Sequence, residues 1–377
     1  MAAARLLSST KRLLGPVIRE MQFHLAIFRS GSRPRVAFLT SNGKAMSGLL
    51  RAHKIADGLT GHGWTSIVLD PGLGLARQNR ILRQFKPDVV VLQKCRNPFS
   101  RAEYLKDWPL VLDIDDADFL DPTLSSVLED VARQVRAVMV GSRFLHDWAV
   151  QFNDDVSIVW TGTPLSTAPR PDHHARQPII TWAQADPLGY PDEMRFCRDV
   201  MLDVVSRIGP VDFRLYRCVG QENHPILREM ATAGVRLQIL PFMDYAQFLV
   251  SLRDVSIGLS PLAGRNFSLG KSFGKILGYI DARVPVICSD EADHDLFFAA
   301  GSGIVSNDRK TWADAICRLI ADPDARNRMA DAAHDAALSR LSTEAVTLQV
   351  HRILSQVRLK TLDRSAVTAD LQQERLS

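Results

Sequence analysis

In this 377-residue chain, the residues whose types and spacing best suit a ligand-binding site are two lysines and three glycines within 261–290. Lys271 and Lys275 are about one helical turn apart. Three glycines recur at every fourth position beside them: Gly270, Gly274 and Gly278. A glycine inside a helix costs roughly 1 kcal/mol relative to alanine, so three of them indicate close approach of a ligand or another backbone. Lysines near a helix N-terminus, where free N–H groups favour anions, predict a phosphate ligand.

The elements around these residues predict how they are positioned. An apolar strand at 255–260 precedes a loop, a helix is predicted over 268–282, and a second buried strand at 284–289 follows. One side of that helix is apolar, and Lys271, Lys275 and Gly278 form a stripe on the other. The same pattern is also typical of a helix that packs on its neighbour through small residues, with solvated lysines.

Strand and helix signals alternate along the rest of the chain. Strands are predicted at 36–40, 65–70, 88–93, 110–115, 137–140 and 156–160, and again at 179–182, 213–218, 236–240, 255–260, 284–289 and 303–306. Helices are predicted at 49–59, 75–84, 100–106, 124–134 and 144–151, then at 191–208, 225–232, 245–251, 268–282 and 312–320, with a helical tail from 324 that breaks near 342. Apolar strands alternating with helices predict parallel sheets covered on both faces, and therefore an α/β fold with two Rossmann-like domains.

Composition supports this division and narrows the function classes. We predict a basic arm (1–32), a first Rossmann-like domain (33–165), a proline-rich linker (166–178), a second domain (179–342) and a C-terminal helix and tail (343–377). A net charge of +4 is too small to indicate nucleic acid, and five scattered cysteines suit a reducing, cytoplasmic compartment. The adjacent His173 and His174 are expected to be solvated linker residues, and no metal site is predicted. No G-x-G-x-x-G follows a strand, which argues against a nicotinamide-dependent enzyme.

The first thirty residues differ from the rest because they are basic and amphipathic. Seven arginines and lysines up to Arg35 face a single acid, Glu20, and Leu7, Leu14, Met21 and Phe28 recur every seven residues. Such a segment is typical of a helix on an anionic membrane surface, of a transit peptide, or of a helix that caps the first domain. Peripheral contact with the inner membrane surface through residues 1–30 is therefore one of three interpretations.

The segment around the lysines resembles the nucleotide-sugar site of GT-B glycosyltransferases, especially the family 4 type. In that family a Lys-Ser-x-x-Lys-x-x-Glu-Tyr run precedes an aliphatic Pro-Val strand and a serine. The positions that match are Lys271, Ser272, Lys275, Tyr279, Pro285, Val286 and Ser289. The family's two acids, one of which holds the donor ribose, fall on Gly270 and Gly278.

The resemblance implies a GT-B fold, with two Rossmann-like domains facing each other across a cleft, and transfer of a sugar from a nucleotide diphosphate sugar to a hydroxyl acceptor. It also implies retention of configuration, a hexosyltransferase-type reaction without metal, and no permanently bound cofactor. The acceptor would be a glycan, a lipid-linked molecule or a small molecule, held by the first domain. The alternative is a catalytically degenerate GT-B protein that acts as a binding or scaffold subunit, which the glycine at 278 favours.

Within this interpretation each candidate residue has an expected role. Lys271 and Arg265 would stabilise the leaving diphosphate, and Asp115 would orient or deprotonate the acceptor. Donor contacts are expected from Lys271, Ser272, Lys275, Gly278, Asp281 and Ser289, with Asp281 taking over the ribose contact one turn after Gly278. Asp113 and Asp115 have the spacing of a metal-binding D-x-D, but such sites belong to a different glycosyltransferase fold. Four residues after first-domain strands are candidates for the acceptor pocket: Lys94, Arg96, Ser142 and Arg143.

Overall fold

Two parallel sheets form the framework of the protein. The computed structural model describes residues 31–41, 43, 46–263, 266–298 and 301–374. The first sheet has six strands in the order β2-β1-β3-β4-β5-β6. Its strands are β1 (Arg35–Leu39), β2 (Thr65–Leu69), β3 (Val89–Gln93), β4 (Leu110–Ile114), β5 (Ala137–Val140) and β6 (Val156–Ile158). Apolar side chains cover both faces of β3 and β4, as a buried parallel sheet requires.

The second sheet also has six parallel strands, in the order β12-β11-β10-β7-β8-β9. Its strands are β7 (Ile179–Trp182), β8 (Val211–Tyr216), β9 (Val235–Leu240), β10 (Val255–Ser260), β11 (Val286–Cys288) and β12 (Ile304–Val305). The strand order reverses between β1 and β3 in the first sheet and between β7 and β10 in the second. In open α/β sheets, ligands bind outside the carboxyl ends of strands at such reversals.

Helices cover both faces of both sheets. In chain order they are α1 (Lys54–Leu59), α2 (Leu75–Phe85), α3 (Ser125–Gln134), α4 (Arg143–Ala149), α5 (Pro191–Ile208), α6 (Pro225–Ala233), α7 (Tyr245–Ser251), α8 (Asn266–Leu269), α9 (Leu277–Asp281), α10 (His294–Phe297), α11 (Arg309–Ala321), α12 (Pro323–Arg340) and α13 (Thr343–Glu374). A helical turn at Met46–Gly48 and a π-helical turn at Leu49–His53 lead into α1.

The predicted α/β architecture is confirmed, and all twelve strands form within three residues of their predicted ends. The predicted helix over 100–106 is wrong: only one 3₁₀ turn, Ala102–Tyr104, forms there. Its apolar side chains explain this, because Ala102 and Leu105 are buried while Tyr104 is exposed. Two buried positions are too few to hold a longer amphipathic helix against the core.

The last helix belongs to the core of the first domain, although it follows the second domain in sequence. Five apolar side chains of α13 join the cluster that contains Val36 and Phe38 of β1: Val346, Val350, Ile353, Leu354 and Val357. On α1, a Cβ at Gly58 would lie 2.6 Å from the Thr347 hydroxyl, so α13 approaches α1 closely. The chain therefore crosses between the domains twice, through the linker and through the start of α13.

The linker is anchored to the second domain rather than solvated. His173 is only 1% exposed, and its Nε2 lies 2.9 Å from the carbonyl oxygen of Arg283. Arg176 donates to the carbonyl oxygens of Val255 and Ala282. The expectation of solvated linker histidines holds for His174, which is exposed, and is wrong for His173, because backbone acceptors of the second domain hold the chain around it.

The membrane interpretation concerns residues 1–30, which lie outside the described residues, so it stays a prediction. Within the part of the chain that the structure describes, no helix is long and apolar enough to cross a bilayer.

Acid should weaken the fold through His173. Burial, followed by the charge of Arg176, lowers the pKa of this imidazole from 6.5 to about 4. The unfolded chain therefore binds this proton at a higher pH than the folded chain does, so stability decreases as pH falls from about 6.5 towards 4. Between pH 7 and pH 5 the expected loss is about 2 kcal/mol.

Urea unfolding at the two pH values measures this loss. His173→Gln cannot bind the proton and should lose less stability on acidification than the wild type does. The matched control is His174→Gln, which changes the exposed neighbour. An unchanged pH dependence in His173→Gln would contradict this origin of the acid sensitivity.

Candidate functional site in the cleft

The stretch predicted as one helix over 268–282 is broken where it faces the first domain. Helix α8 ends at Leu269, a 3₁₀ turn forms at Phe273–Lys275, and α9 begins at Leu277. Between them Ser272 is fully extended, with φ −98° and ψ 179°. The prediction of a continuous helix is wrong because the chain bends here against the first domain. Lys271 and Ser272 therefore lie on a connecting turn, which we call the lysine turn (residues 270–272).

The three glycines of this stretch differ in what surrounds them. A Cβ on Gly270 would lie 2.2 Å from the Cβ of Ala117, which belongs to the loop after β4 of the first domain. A Cβ on Gly278 would lie 2.7 Å from the ring of Phe248 in α7. Gly274 has open space around its Cβ position. The close approach of another backbone that was predicted from the glycine repeat is found at Gly270 only, where the first domain makes it. The prediction is wrong at Gly278, whose neighbour is a half-buried side chain, and at Gly274, which has no close neighbour.

Lys271 extends from the lysine turn to the first domain. Its Nζ lies 3.3 Å from Oδ1 of Asp116 and 4.3 Å from the ring centre of Phe267. The ring of Tyr190 is 5.9 Å away on the second domain. The ammonium group is thus paired with one carboxylate and lies over aromatic faces that favour a cation. An ammonium placed this way between the two domains suits a ligand that carries negative charge.

Asp116 belongs to a group of alternating charges at the carboxyl ends of β3 and β4. Lys94, which follows β3, is 2% exposed and lies 2.9 Å from Asp115 Oδ1 and 2.5 Å from Asp116 Oδ2. Burial lowers the pKa of Lys94, but the charges of Asp115 and Asp116 outweigh it and raise the pKa to about 12. Lys94 is therefore charged, and the predicted acceptor base Asp115 is already bound to a cation.

Arg96 completes this group of charges. It donates from Nε to Asp118 at 2.7 Å, and its Nη2 lies 3.6 Å from Asp116 Oδ2. The hydrogen bond to Asp118 is the main reason that the pKa of Arg96 is raised. Lys94 and Arg96, which were predicted to face an acceptor, thus hold three carboxylates that follow β4: Asp115, Asp116 and Asp118.

Two pairs of consecutive residues at the cleft have left-handed backbone conformations that non-glycine residues seldom adopt. Lys94 and Cys95 have φ values of 62° and 52° in the first domain, and Ala292 and Asp293 have φ values of 54° and 62° in the second. Such conformations cost about 1–3 kcal/mol each and persist where surrounding contacts enforce them. In both pairs one residue is charged, buried and bonded at the cleft.

A second network joins the core of the first domain to the lysine turn. Arg51, buried before α1, is bonded through Nε to Asp113 at 3.0 Å and donates to the hydroxyl of Thr161 at 3.1 Å. The Thr161 hydroxyl in turn lies 3.2 Å from the Ser272 hydroxyl. Because Arg51 only donates, Thr161 accepts from it, and donation to Ser272 leaves no buried proton of Thr161 unpaired. This arrangement leaves the Ser272 proton available for a further acceptor.

Asp293 bridges the domains on the other side of the lysine turn. Its carboxylate accepts the backbone N–H of Arg143 at 3.1 Å, the Arg143 Nε–H at 2.9 Å and the Trp160 indole N–H at 2.8 Å. Arg143 also pairs with Asp295. Arg143 therefore contacts the second domain, whereas the sequence predicted it for the acceptor pocket.

The structure brings together only some of the predicted donor residues. Lys271 and Ser272 lie together on the lysine turn. Ser289 follows β11, and its hydroxyl accepts the N–H of Leu262 at 2.9 Å. Lys275 is described by its backbone only, and Arg265 lies outside the described residues.

Gly278 and Asp281 are not brought to this group. Asp281 accepts the backbone N–H of Ser166 at 2.8 Å and pairs with Arg170 at 3.1 Å, so both of its oxygens hold the linker. Its predicted ribose contact is therefore not supported by the geometry. At Gly278, the ring of Phe248 fills the space that any side chain would need.

Arg51, Thr161 and Asp293 were missed by reasoning from sequence. For Arg51 a signal existed, because it falls on the same helical face as Ala52, Ile55 and Leu59, where a charge is unexpected. For Asp293 no local signal exists, since its partners are more than 130 residues away. Among the residues with described side chains, no group of three or more His, Cys, Asp or Glu is placed to hold a metal ion.

Comparison with known proteins identifies the fold. No protein-family model matches this sequence, and no curated protein is similar to it in sequence. Sucrose-phosphate synthase from Thermosynechococcus elongatus is similar in structure, with a TM-score of 0.69 and 12% identity over 86% of this chain and 99% of that one. Anabaena HepE, in complex with UDP and glucose, has a TM-score of 0.65 and 15% identity over 86% of this chain and 100% of that one. The chain has the GT-B fold.

A third similar structure, a glycosyltransferase from Rickettsia africae, has a TM-score of 0.60 and 12% identity over 86% of this chain and 99% of that one. The GT-B arrangement predicted from the sequence is thereby confirmed. At these identities the similarity establishes the fold alone, and the family 4 assignment stays a prediction.

The contact between Gly270 and Ala117 can be tested by adding a methyl group at position 270. Gly270→Ala would place a Cβ 2.2 Å from that of Ala117, so the turn or the whole domain must shift. Overpacking of this kind typically costs 1–3 kcal/mol. Urea unfolding should show a loss of about that size.

Gly274→Ala is the matched control, because it adds the same methyl group where nothing lies within 4 Å. It should leave stability unchanged or slightly raised. Equal stability of the two variants would show that the domains do not meet at the lysine turn.

Proposed function

We propose that the protein is a glycosyltransferase that moves a sugar from a nucleotide diphosphate sugar to a hydroxyl acceptor. The observation that carries the proposal is the position of Lys271 and Ser272. They lie on a turn after β10, beside the strand-order reversal of the second sheet, and face the first domain across the cleft. Ligands of open α/β sheets bind at this edge.

The chemistry of these two residues suits a leaving diphosphate. As the glycosidic bond of the donor breaks, negative charge grows on the phosphate oxygen, and a cation already in place stabilises the transition state more than the ground state. Lys271 supplies that cation, and the Ser272 hydroxyl has a proton to donate. Lys275 and Arg265 are proposed as further phosphate contacts on the grounds of sequence alone, and Ser289 as a residue that shapes the loop after β10.

The acceptor would be held by the first domain, at the carboxyl ends of β3 and β4. Asp115 remains the proposed carboxylate for the acceptor hydroxyl, with Lys94 fixing its position at 2.9 Å. The ion pair with Lys94 holds the Asp115 carboxylate in one orientation, which a hydrogen-bond acceptor for a reacting hydroxyl needs. Retention of configuration and independence of metal are part of the proposal, and both follow from the resemblance to family 4.

A catalytically degenerate binding subunit is the second candidate. One observation favours it: the position of the family's ribose-binding glutamate is Gly278, the ring of Phe248 occupies the space beside it, and Asp281 is engaged with the linker. The site thus has no described carboxylate where the family holds the ribose. The two candidates differ in turnover, because only an enzyme releases nucleoside diphosphate from a nucleotide sugar.

Calorimetric titration with UDP, GDP and ADP tests the donor site. Lys271→Ala should weaken binding of the preferred nucleotide roughly 10- to 100-fold, because it removes one charge-assisted contact worth about 1.5–3 kcal/mol. The matched control is Lys310→Ala, which removes an exposed lysine paired with Asp314 on α11 and should bind like the wild type.

Release of nucleoside diphosphate from the matching nucleotide sugar then separates the two candidates, and NMR of the product's anomeric proton gives the stereochemistry. Nucleotide binding without release, over a panel of sugars and acceptors, would favour the degenerate subunit. Binding that is insensitive to Lys271→Ala would contradict the proposed donor site.

A further inference from the structure

Asp116 is the point at which cations of both domains converge. Its carboxylate lies 2.5 Å from Lys94 Nζ, 3.3 Å from Lys271 Nζ and 3.6 Å from Arg96 Nη2. The first and third of these cations belong to the first domain, and the second belongs to the lysine turn. Three cations that surround one position form a binding site for an anion. Here the carboxylate of Asp116 occupies that position.

The neighbouring carboxylates do not share this property. Asp115 is bound to Lys94, and Asp118 is bound to Arg96, both within the first domain. Of Asp115, Asp116 and Asp118, Asp116 alone contacts a described cation of the second domain. Removal of the charge at Asp116 therefore frees Lys271, whereas removal of the charge at Asp118 does not.

The charges around Asp116 balance one another, so an incoming anion finds no unpaired cation among these side chains. Three positive side chains face three negative ones: Lys94, Arg96 and Lys271 against Asp115, Asp116 and Asp118. A nucleoside diphosphate brings roughly two or more negative charges. It can be neutralised by Lys271 only if the Asp116 carboxylate gives up that lysine, because two anions at one ammonium repel each other.

Asp116 is not protonated near neutral pH, so it still competes with an anionic ligand for Lys271. Burial raises the pKa of the Asp116 carboxyl, but the charges of Lys94 and Lys271 outweigh burial and hold the pKa below its usual value. Asp116 is therefore ionised at the pH at which a nucleotide would bind, and it must be displaced as an anion.

We propose that Asp116 competes with the diphosphate for Lys271 and thereby sets the affinity of the donor site for phosphate-bearing ligands. This inference rests on the proposed function, since it takes Lys271 as the donor's phosphate contact. Displacement of Asp116 by the ligand also breaks an ion pair between the domains. Donor binding and the contact between domains are then linked through one carboxylate.

Asp116→Asn is the test, because asparagine keeps the size and an oxygen for Lys94 while it removes the charge. The probes are UDP, GDP, ADP and inorganic pyrophosphate, which reports on the phosphate position without a base. Asp116→Asn should bind the preferred nucleotide and pyrophosphate about tenfold more tightly than the wild type. Uridine, guanosine or adenosine, which carry no phosphate, should bind both proteins alike.

Asp118→Asn is the matched comparison, with the same change in charge two residues away and no contact with Lys271. It frees Arg96 rather than Lys271, so its gain in affinity should stay below about threefold. The decisive variant combines Asp116→Asn with Lys271→Ala. If Asp116 acts through Lys271, the gain in affinity disappears in that background. Asp116→Ser serves as a second uncharged variant should Asp116→Asn fold poorly, as judged by thermal unfolding.

The outcomes separate the inference from the function on which it rests. Binding by the wild type that depends on Lys271 but is not strengthened in Asp116→Asn or Asp116→Ser would overturn the role of Asp116 and leave the donor site intact. An equal gain in Asp118→Asn would also overturn it, since the effect would then be one of general charge. Absence of nucleotide and pyrophosphate binding in the wild type and in every variant would overturn the donor site itself.

Discussion

The approach of Gly270 to Ala117 determines how the rest of the cleft is arranged. Because Gly270 has no side chain, the turn after β10 packs directly on the methyl group and backbone of Ala117 in the loop after β4. Lys271 and Ser272 follow directly from this contact: one reaches Asp116, and the other reaches Thr161. A larger residue at position 270 would push the turn away and separate both pairs. The polar contacts of Lys271 and Ser272 thus depend on the absence of a side chain at position 270.

The charged side chains that the structure describes in the cleft are paired with one another. Arg51 is bound to Asp113, Lys94 to Asp115 and Asp116, Arg96 to Asp118, and Arg143 to Asp293. Isolated buried charges would be unstable, so the buried members of these pairs, such as Asp113, Lys94 and Asp293, need their partners. In the proposed glycosyltransferase, an anionic donor would replace the Asp116 carboxylate at Lys271. The energetic balance of that exchange would then contribute to the affinity.

The fold could be predicted from the sequence because its signals are local. Each buried strand is a short run of Val, Ile and Leu, such as 89–93, and needs no knowledge of its neighbours to be recognised. The break at the lysine turn depends instead on Ala117, more than 150 residues earlier in the chain, so the continuous helix drawn from periodicity was wrong. Of the candidate site, the sequence predicted the residues whose types suit phosphate binding, Lys271 and Ser272, which follow β10. Asp116, Thr161 and Asp293 acquire their roles from contacts between domains, which no pattern along the chain reveals.

A crystal structure of the protein with its preferred nucleoside diphosphate tests the central claim most directly. The account predicts phosphate oxygens within about 3 Å of Lys271 Nζ and of the Ser272 hydroxyl. It also predicts that the Asp116 carboxylate has moved away from Lys271. A nucleotide bound elsewhere, or one in the cleft that leaves the Lys271–Asp116 pair intact, would contradict it.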